Sequence, residues 1–171
     1  MITSFAGRSP VVPATAFVAP TALVVGDVVL GDEASLWYGV VARGDVGPIR
    51  IGARTNIQDL CVLHTTNGRP GLLVGEEVTV GHRVILHGAT VGNRCLIGMG
   101  SILLDDCEIG EESLVAAGSV VLEATKAPPR SFLAGVPARV KGPIPPAVLA
   151  RLRASAESYV RLSREHAALR A

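Results

Sequence analysis

Three of the chain's four histidines, His64, His82 and His87, lie within one stretch, "VLHTTNGRPGLLVGEEVTVGHRVILHG" (62–88). A neutral imidazole is the commonest metal ligand, and three protein ligands with one open position are the usual share of a catalytic zinc site. Cysteine supplies no rival site. Cys61, Cys95 and Cys107 are an odd number without a CxxC spacing, which argues against both a disulfide framework and a thiolate zinc site. The question the histidines raise is how a chain this regular brings them together.

The elements that must position them are read from a repeat. Hexads starting at 12, 18, 24, 30, 36, 42, 51, 57, 63, 74, 80, 86, 91, 97, 103, 109, 115 and 121 begin with Val, Ile or Leu in seventeen of eighteen cases, Ala42 being the exception. The second residue is Gly in seven of them, and the fifth is small in all but the hexad containing Asn67. All three cysteines take that small fifth position, so they read as core filler, an unpaired Cys packing as a small hydrophobe. A six-residue period of short strands is the signature of a parallel β-helix, whose coils bury their apolar columns by stacking on one another. The sequence resembles the left-handed hexapeptide-repeat β-helices, three hexads to a coil. The resemblance supplies the hand, which opposes the usual right-handed crossover rule.

The expected fold is therefore all-β: a left-handed parallel β-helix of about six coils over residues 1–142. An amphipathic C-terminal helix over 143–171 packs on the prism, opened by Pro145 and Pro146. Its apolar stripe is Val148, Leu149, Leu152, Ala156, Tyr159, Val160 and Ala167, at i, i+3, i+4 spacing. His166, on the same helix, reads as an exposed residue. Three irregularities interrupt the hexads: extra residues at "VGPIR" (Val46 to Arg50), extra residues at "RPGLL" (Arg69 to Leu73), and a five-residue step from Leu86 to Val91. They predict two loops and one tight corner around the histidines, and their concentration there favours function.

Placed on the prism, His64 and His87 are second residues of the third hexad in successive coils, so they stack one strand spacing apart, about 4.8 Å. Arg43 holds the same column one coil earlier. His82 is the third residue of the preceding hexad of its coil, stacked over Asp59, and points away around the corner. Two imidazoles at one strand spacing can turn toward a common ion, and the third ligand is then wanted from elsewhere. A neighbouring subunit presenting its own His82 around a threefold axis would close such a site.

The segments "RGD" (Arg43 to Asp45), "NIQD" (Asn56 to Asp59), His64, "VGH" (Val80 to His82) and "LHG" (Leu86 to Gly88) resemble the γ-class carbonic anhydrase family, over residues of about 10 to 140. The resemblance implies a homotrimer whose metal sites lie at subunit interfaces, each using His64 and His87 of one chain and His82 of the next. Zn is the default metal, with Fe or Co as alternatives. It further implies an intersubunit ion pair between Arg43 and Asp59, Asn56 and Gln58 orienting water and substrate, and a supporting role for Asp45. The reaction implied is hydration of carbon dioxide to bicarbonate. The sequence departs from the founding members at the position after Asp45, where Val46 replaces a glutamate proton shuttle, and the loop Thr65 to Leu73 has no acid; hydration that is slow or absent is the expectation. Short-loop relatives also suggest acyl-CoA thioester hydrolysis, "GVPAR" (Gly135 to Arg139) is shared with hexapeptide acyltransferases, and a non-catalytic metal-binding scaffold is the remaining alternative.

Sixteen basic against fifteen acidic residues give a net charge of +1, with neither a nucleic-acid footprint nor a polybasic membrane patch. No window approaches the roughly 18–20 apolar residues of a membrane span. A cytoplasmic protein with a small-molecule substrate is expected.

Overall fold

The computed structural model describes residues 1–169, the side chain of Arg153 excepted. The chain winds as a left-handed β-solenoid of about seven turns with one C-terminal helix. The first residue of each hexad points inward: Leu36, Ile57, Leu63, Leu86, Ile97 and Leu103 are all fully buried. The coils counted by the hexads are present, and the pattern runs on past them. Lys126–Ala127 and Ser131–Gly135 add further rungs, with Ala127 and Leu133 continuing the buried column. An antiparallel return strand, Ala138–Pro143, closes that end.

Three faces result. One stacks Phe17–Val18, Ser35–Leu36, Asn56–Ile57, Thr79–Val80, Leu96–Ile97, Leu114–Val115 and Ser131–Gly135. The second carries Val62–His64, Ile85–His87, Ile102–Leu103 and Val120–Val121 above the first halves of Leu23–Leu30 and Val41–Ile51. The third uses the second halves of those two long strands, then Leu72–Val74, Thr90–Val91, Glu108–Ile109 and Lys126–Ala127.

Each corner has its own stereochemistry. The fourth residue of the hexad takes a left-handed conformation, from Glu33 to Arg130, in ten non-glycine residues with φ between 54 and 61. Few L residues adopt that region freely, so the stacking of coils imposes it. The second-position glycines serve a different need. A Cβ on Gly52 would lie 2.5 Å from the carbonyl of Gly75, so its absence lets successive backbones close up. Cys61, Cys95 and Cys107 are buried, and burial pushes each thiol up to about 12.

The irregular segments resolve unequally. "VGPIR" is no loop: it is part of the continuous strand Val41–Ile51, paired with Leu23–Leu30 through a register shift at Gly26/Val28. Gly26 and Gly44 permit that bend, a Cβ on Gly26 meeting the Gly44 carbonyl at 2.5 Å. Val46, at a small fifth position of the hexads, is 40% exposed there. Residues 65–71 do form a loop. At the five-residue step, Ala89 is buried in place of the exposed Thr90.

The helix, Pro146–Ala168, starts with Pro145 as N-cap and Pro at N1. It lies on the first face over its N-terminal rungs. Leu152, Ala156 and Val160 are buried, but the stripe ends on Ser163 instead of the exposed Ala167. His166 is no free surface residue. Its ring packs edge-on against Trp37 at 4.9 Å and its Nδ1 meets the Tyr38 hydroxyl at 2.9 Å. Among the described residues no helix is long and apolar enough to cross a membrane.

Candidate metal centre

His64 and His87 are register partners on adjacent strands, one residue beyond the buried Leu63 and Leu86 that anchor those strands. Their rings stand 5.2 Å apart, and His64 Nδ1 faces His87 Nε2 at 3.2 Å. Each outward nitrogen meets a carboxylate: His64 Nε2 meets Asp45 Oδ1 at 3.1 Å, and His87 Nδ1 meets Asp105 Oδ2 at 3.2 Å. If each carboxylate takes an N–H, both inward nitrogens present lone pairs to one another, an arrangement that calls for a cation. Two nitrogens bound about 2.0–2.1 Å from a tetrahedral ion stand about 3.3–3.4 Å apart, close to the spacing seen. The pair therefore fits a divalent metal.

Arg43 donates to Asp45 Oδ2 at 2.5 Å. Partial burial pushes the Asp45 carboxyl upward, but hydrogen bonds from Arg43, its own backbone and His64, with the Arg43 charge, outweigh this and hold it below its ordinary value. Asp105 did not stand out in the sequence.

The remaining site residues gather at the opposite edge of the second face. His82 Nδ1 lies 2.8 Å from Asp59 Oδ2, whose other oxygen accepts from the Tyr38 backbone N–H. Arg43 and Asp59 thus have separate partners within the chain. Next to Asp59, the Gln58 amide donates to Asn56 Oδ1 at 3.2 Å, Asn56 donates to Thr79 Oγ1 at 3.0 Å, and Thr79 donates to Ser155 Oγ of the helix at 3.0 Å. Gln58 also borders a mostly apolar groove of about 470 Å³ between helix and prism, along with Met99, Phe132 and Tyr159. Burial raises the Tyr159 phenol above its ordinary value, and the negative charge of Asp59 adds to the shift.

Among the described residues no three His, Cys, Asp or Glu side chains converge as a metal site. The His64/His87 pair lies at one edge of a face and the His82/Asp59 pair at the other.

Residues 88–123 match the bacterial transferase hexapeptide family (six repeats). A carbonic anhydrase of Geobacillus kaustophilus is 49% identical over 82% of this chain and 76% of its own length. A probable carbonic anhydrase of Methanocaldococcus jannaschii is 44% identical over 85% of this chain and 91% of its own. The chain belongs to the γ-class carbonic anhydrase-like family. The γ carbonic anhydrase 1 of Arabidopsis thaliana mitochondria is 39% identical over 94% of this chain, which spans 60% of that longer protein. Among solved structures, a putative acetyltransferase of Bacillus cereus superposes with a TM-score of 0.96 at 39% identity, covering 98% of this chain and 97% of that one. A hexapeptide transferase family protein of Anaplasma phagocytophilum gives 0.92 at 42% identity, with 96% of each chain covered.

Proposed function

We propose that the protein hydrates carbon dioxide to bicarbonate as a homotrimer, with a divalent ion, Zn by default, at each interface. The observation that carries this reading is the stacked His64/His87 pair, its inward nitrogens 3.2 Å apart and its outward ones each backed by a carboxylate. His82 of the partner subunit is the third ligand, because the chain holds its own His82 at the far edge of the face. Such a head-to-tail arrangement closes around a threefold axis.

The face between these two pairs, each half of the proposed site, supports this assembly. Leu23, Val41, Val62, Ile85, Ile102 and Val120 are register partners in one continuous ladder. None of them is buried, and none is charged. An aliphatic stripe of this kind marks a surface that another chain covers. In the trimer Arg43 exchanges Asp45 for the partner subunit's Asp59.

A divalent ion held by these imidazoles would supply a water acidified to a pKa near 7, and thereby a nucleophile for carbon dioxide. The chain's own residues do the rest. Asp45 fixes the tautomer of His64. Asn56, buried and bonded at both ends of its amide, holds Gln58 in place, and Gln58 is the residue placed to orient water and substrate. Proton export needs a titratable side chain; Val46 is none, and the 65–71 loop has no acid, so turnover depends on an external acceptor.

The Bacillus and Anaplasma structures, named as a putative acetyltransferase and a hexapeptide transferase family protein, favour one second reading, acyl transfer. That chemistry in this fold uses a loop histidine as base, and residues 65–71 contain none. Metal analysis with stopped-flow hydration separates the readings. The expected result is about one ion per chain, emptied by His64→Ala or His87→Ala. Protein purified without chelator and free of metal would overturn the hydratase reading.

A further inference from the structure

We propose that Asp105 is a positioning residue: it holds His87 in the Nδ1–H tautomer and clasps the loop beside His64 against the paired rings. The metal arm of its test rests on the reading above; the tautomer itself does not.

Asp105 is 7% exposed. Its Oδ2 lies 3.2 Å from His87 Nδ1 and accepts from Thr66 Oγ1 at 3.0 Å. One oxygen thus ties the second imidazole to the loop that follows the first. Its Oδ1 is buried with no hydrogen-bond partner. A buried carboxylate oxygen left unpaired carries a desolvation penalty, and a prism corner has no need of one. Glu123, in the same column one coil on, has a side chain 59% exposed.

The backbone below is shaped to hold this group. Gly88, which directly follows His87, has φ +57, and a Cβ built there would lie 1.9 Å from Asp105 Oδ1. The carboxylate fills the volume that any side chain at 88 would require. Asp106 N–H donates to the Gly88 carbonyl at 2.9 Å, fixing the two coils to each other. A second clasp lies alongside: Arg69, from the same loop, donates to Asp106 at 2.5 Å. Asp105 and Asp106 therefore divide the work. Both hold the loop, and Asp105 alone reaches an imidazole. With its proton committed to Asp105, His87 can offer only Nε2, the atom facing His64. Carboxylate–imidazole pairs of this type set both tautomer and basicity of a ligating histidine.

The tautomer is read on metal-free protein by long-range proton–nitrogen correlations of labelled histidine. Wild type is expected to show His87 as Nδ1–H, and Asp105→Ala to shift it toward the Nε2–H form. An Nε2–H ring in wild type, or an unchanged tautomer in the variant, would overturn the proposal. On the metal-loaded trimer, chelator competition with zinc should show binding weakened about 10–100-fold in Asp105→Ala. Asp106→Ala, which severs only the Arg69 clasp, should bind as wild type does. Asp105→Asn keeps the shape should the alanine variant fail to fold, and it is expected to weaken binding in the same direction. Wild-type affinity in both Asp105 variants would sink the proposal while leaving the hydratase reading intact. A wild-type protein that never loads metal would end the hydratase reading, and the tautomer measurement would still decide the role of Asp105.

Discussion

In the proposed site the carboxylates behind His64 and His87 decide which nitrogen of each ring is free, and that choice would make two stacked histidines a chelating pair. The residue missing from this arrangement is a proton acceptor. Val46 follows Asp45 and is 40% exposed, so Val46→Glu is accommodated without burying charge. In dilute buffer this variant should raise kcat by on the order of 10-fold or more, and wild type should gain a comparable increase from added imidazole buffer. A stopped-flow rate indifferent to both would show that proton export is not limiting. The histidines were legible in the sequence because the hexad count gives each residue a column, and the structure keeps His64 and His87 in register. Asp105 was not legible. "LLDD" reads as an ordinary polar corner, and only the stacking of that corner over Gly88 turns one of its two carboxylates inward. His166 escaped for a similar reason: its partners Trp37 and Tyr38 come from more than a hundred residues earlier.

At the scale of the element, the hexad encodes a contact as well as a strand. Its first residue fills the core, and its second, where glycine, sits against the next backbone. The φ of Gly52 is not in the left-handed region, so only contact with Gly75 restricts that position. Gly52→Ala is expected to cost about 1–3 kcal/mol, as overpacking does, and denaturant unfolding monitored by circular dichroism reads it. An unchanged midpoint would mean that the coils separate easily. The same logic explains what the repeat concealed. Insertions read as loops because they break the period, yet Val41–Ile51 passes the corner as strand, since paired glycines at 26 and 44 let the backbone bend without a turn. The left-handed fourth residues carried no signal either, Arg and Glu each being at least as common there as Gly. The helix was legible from its prolines and apolar spacing, save at its end, where Ser163 satisfies its hydroxyl on the Val160 carbonyl and can be buried.

For the proposed trimer, the second face is the decisive surface, because its two edges carry the His64/His87 and His82/Asp59 pairs and its centre is the aliphatic ladder. Val62→Asp with Ile85→Asp places charge in the middle of that ladder, and light scattering should then report monomers that hold no metal. An intact trimer would move the interface to another face. Whether the site is shared is tested most directly by mixing defects. Chains with His64→Ala and chains with His82→Ala are each expected to be empty as homotrimers, since every interface lacks one ligand. In a mixed trimer, an interface formed by the His64/His87 pair of a His82→Ala chain and the His82 of a His64→Ala chain is complete again. Random association of equal amounts rebuilds about a quarter of the interfaces in a head-to-tail ring. Coexpression should therefore restore bound metal, and hydration with it, to roughly that fraction of wild type. A site built within one chain gives none, because no single chain in the mixture has all three imidazoles. Mixed trimers verified by mass spectrometry that stay empty would mean that His82 does not reach across, and the two half-sites would need separate explanations.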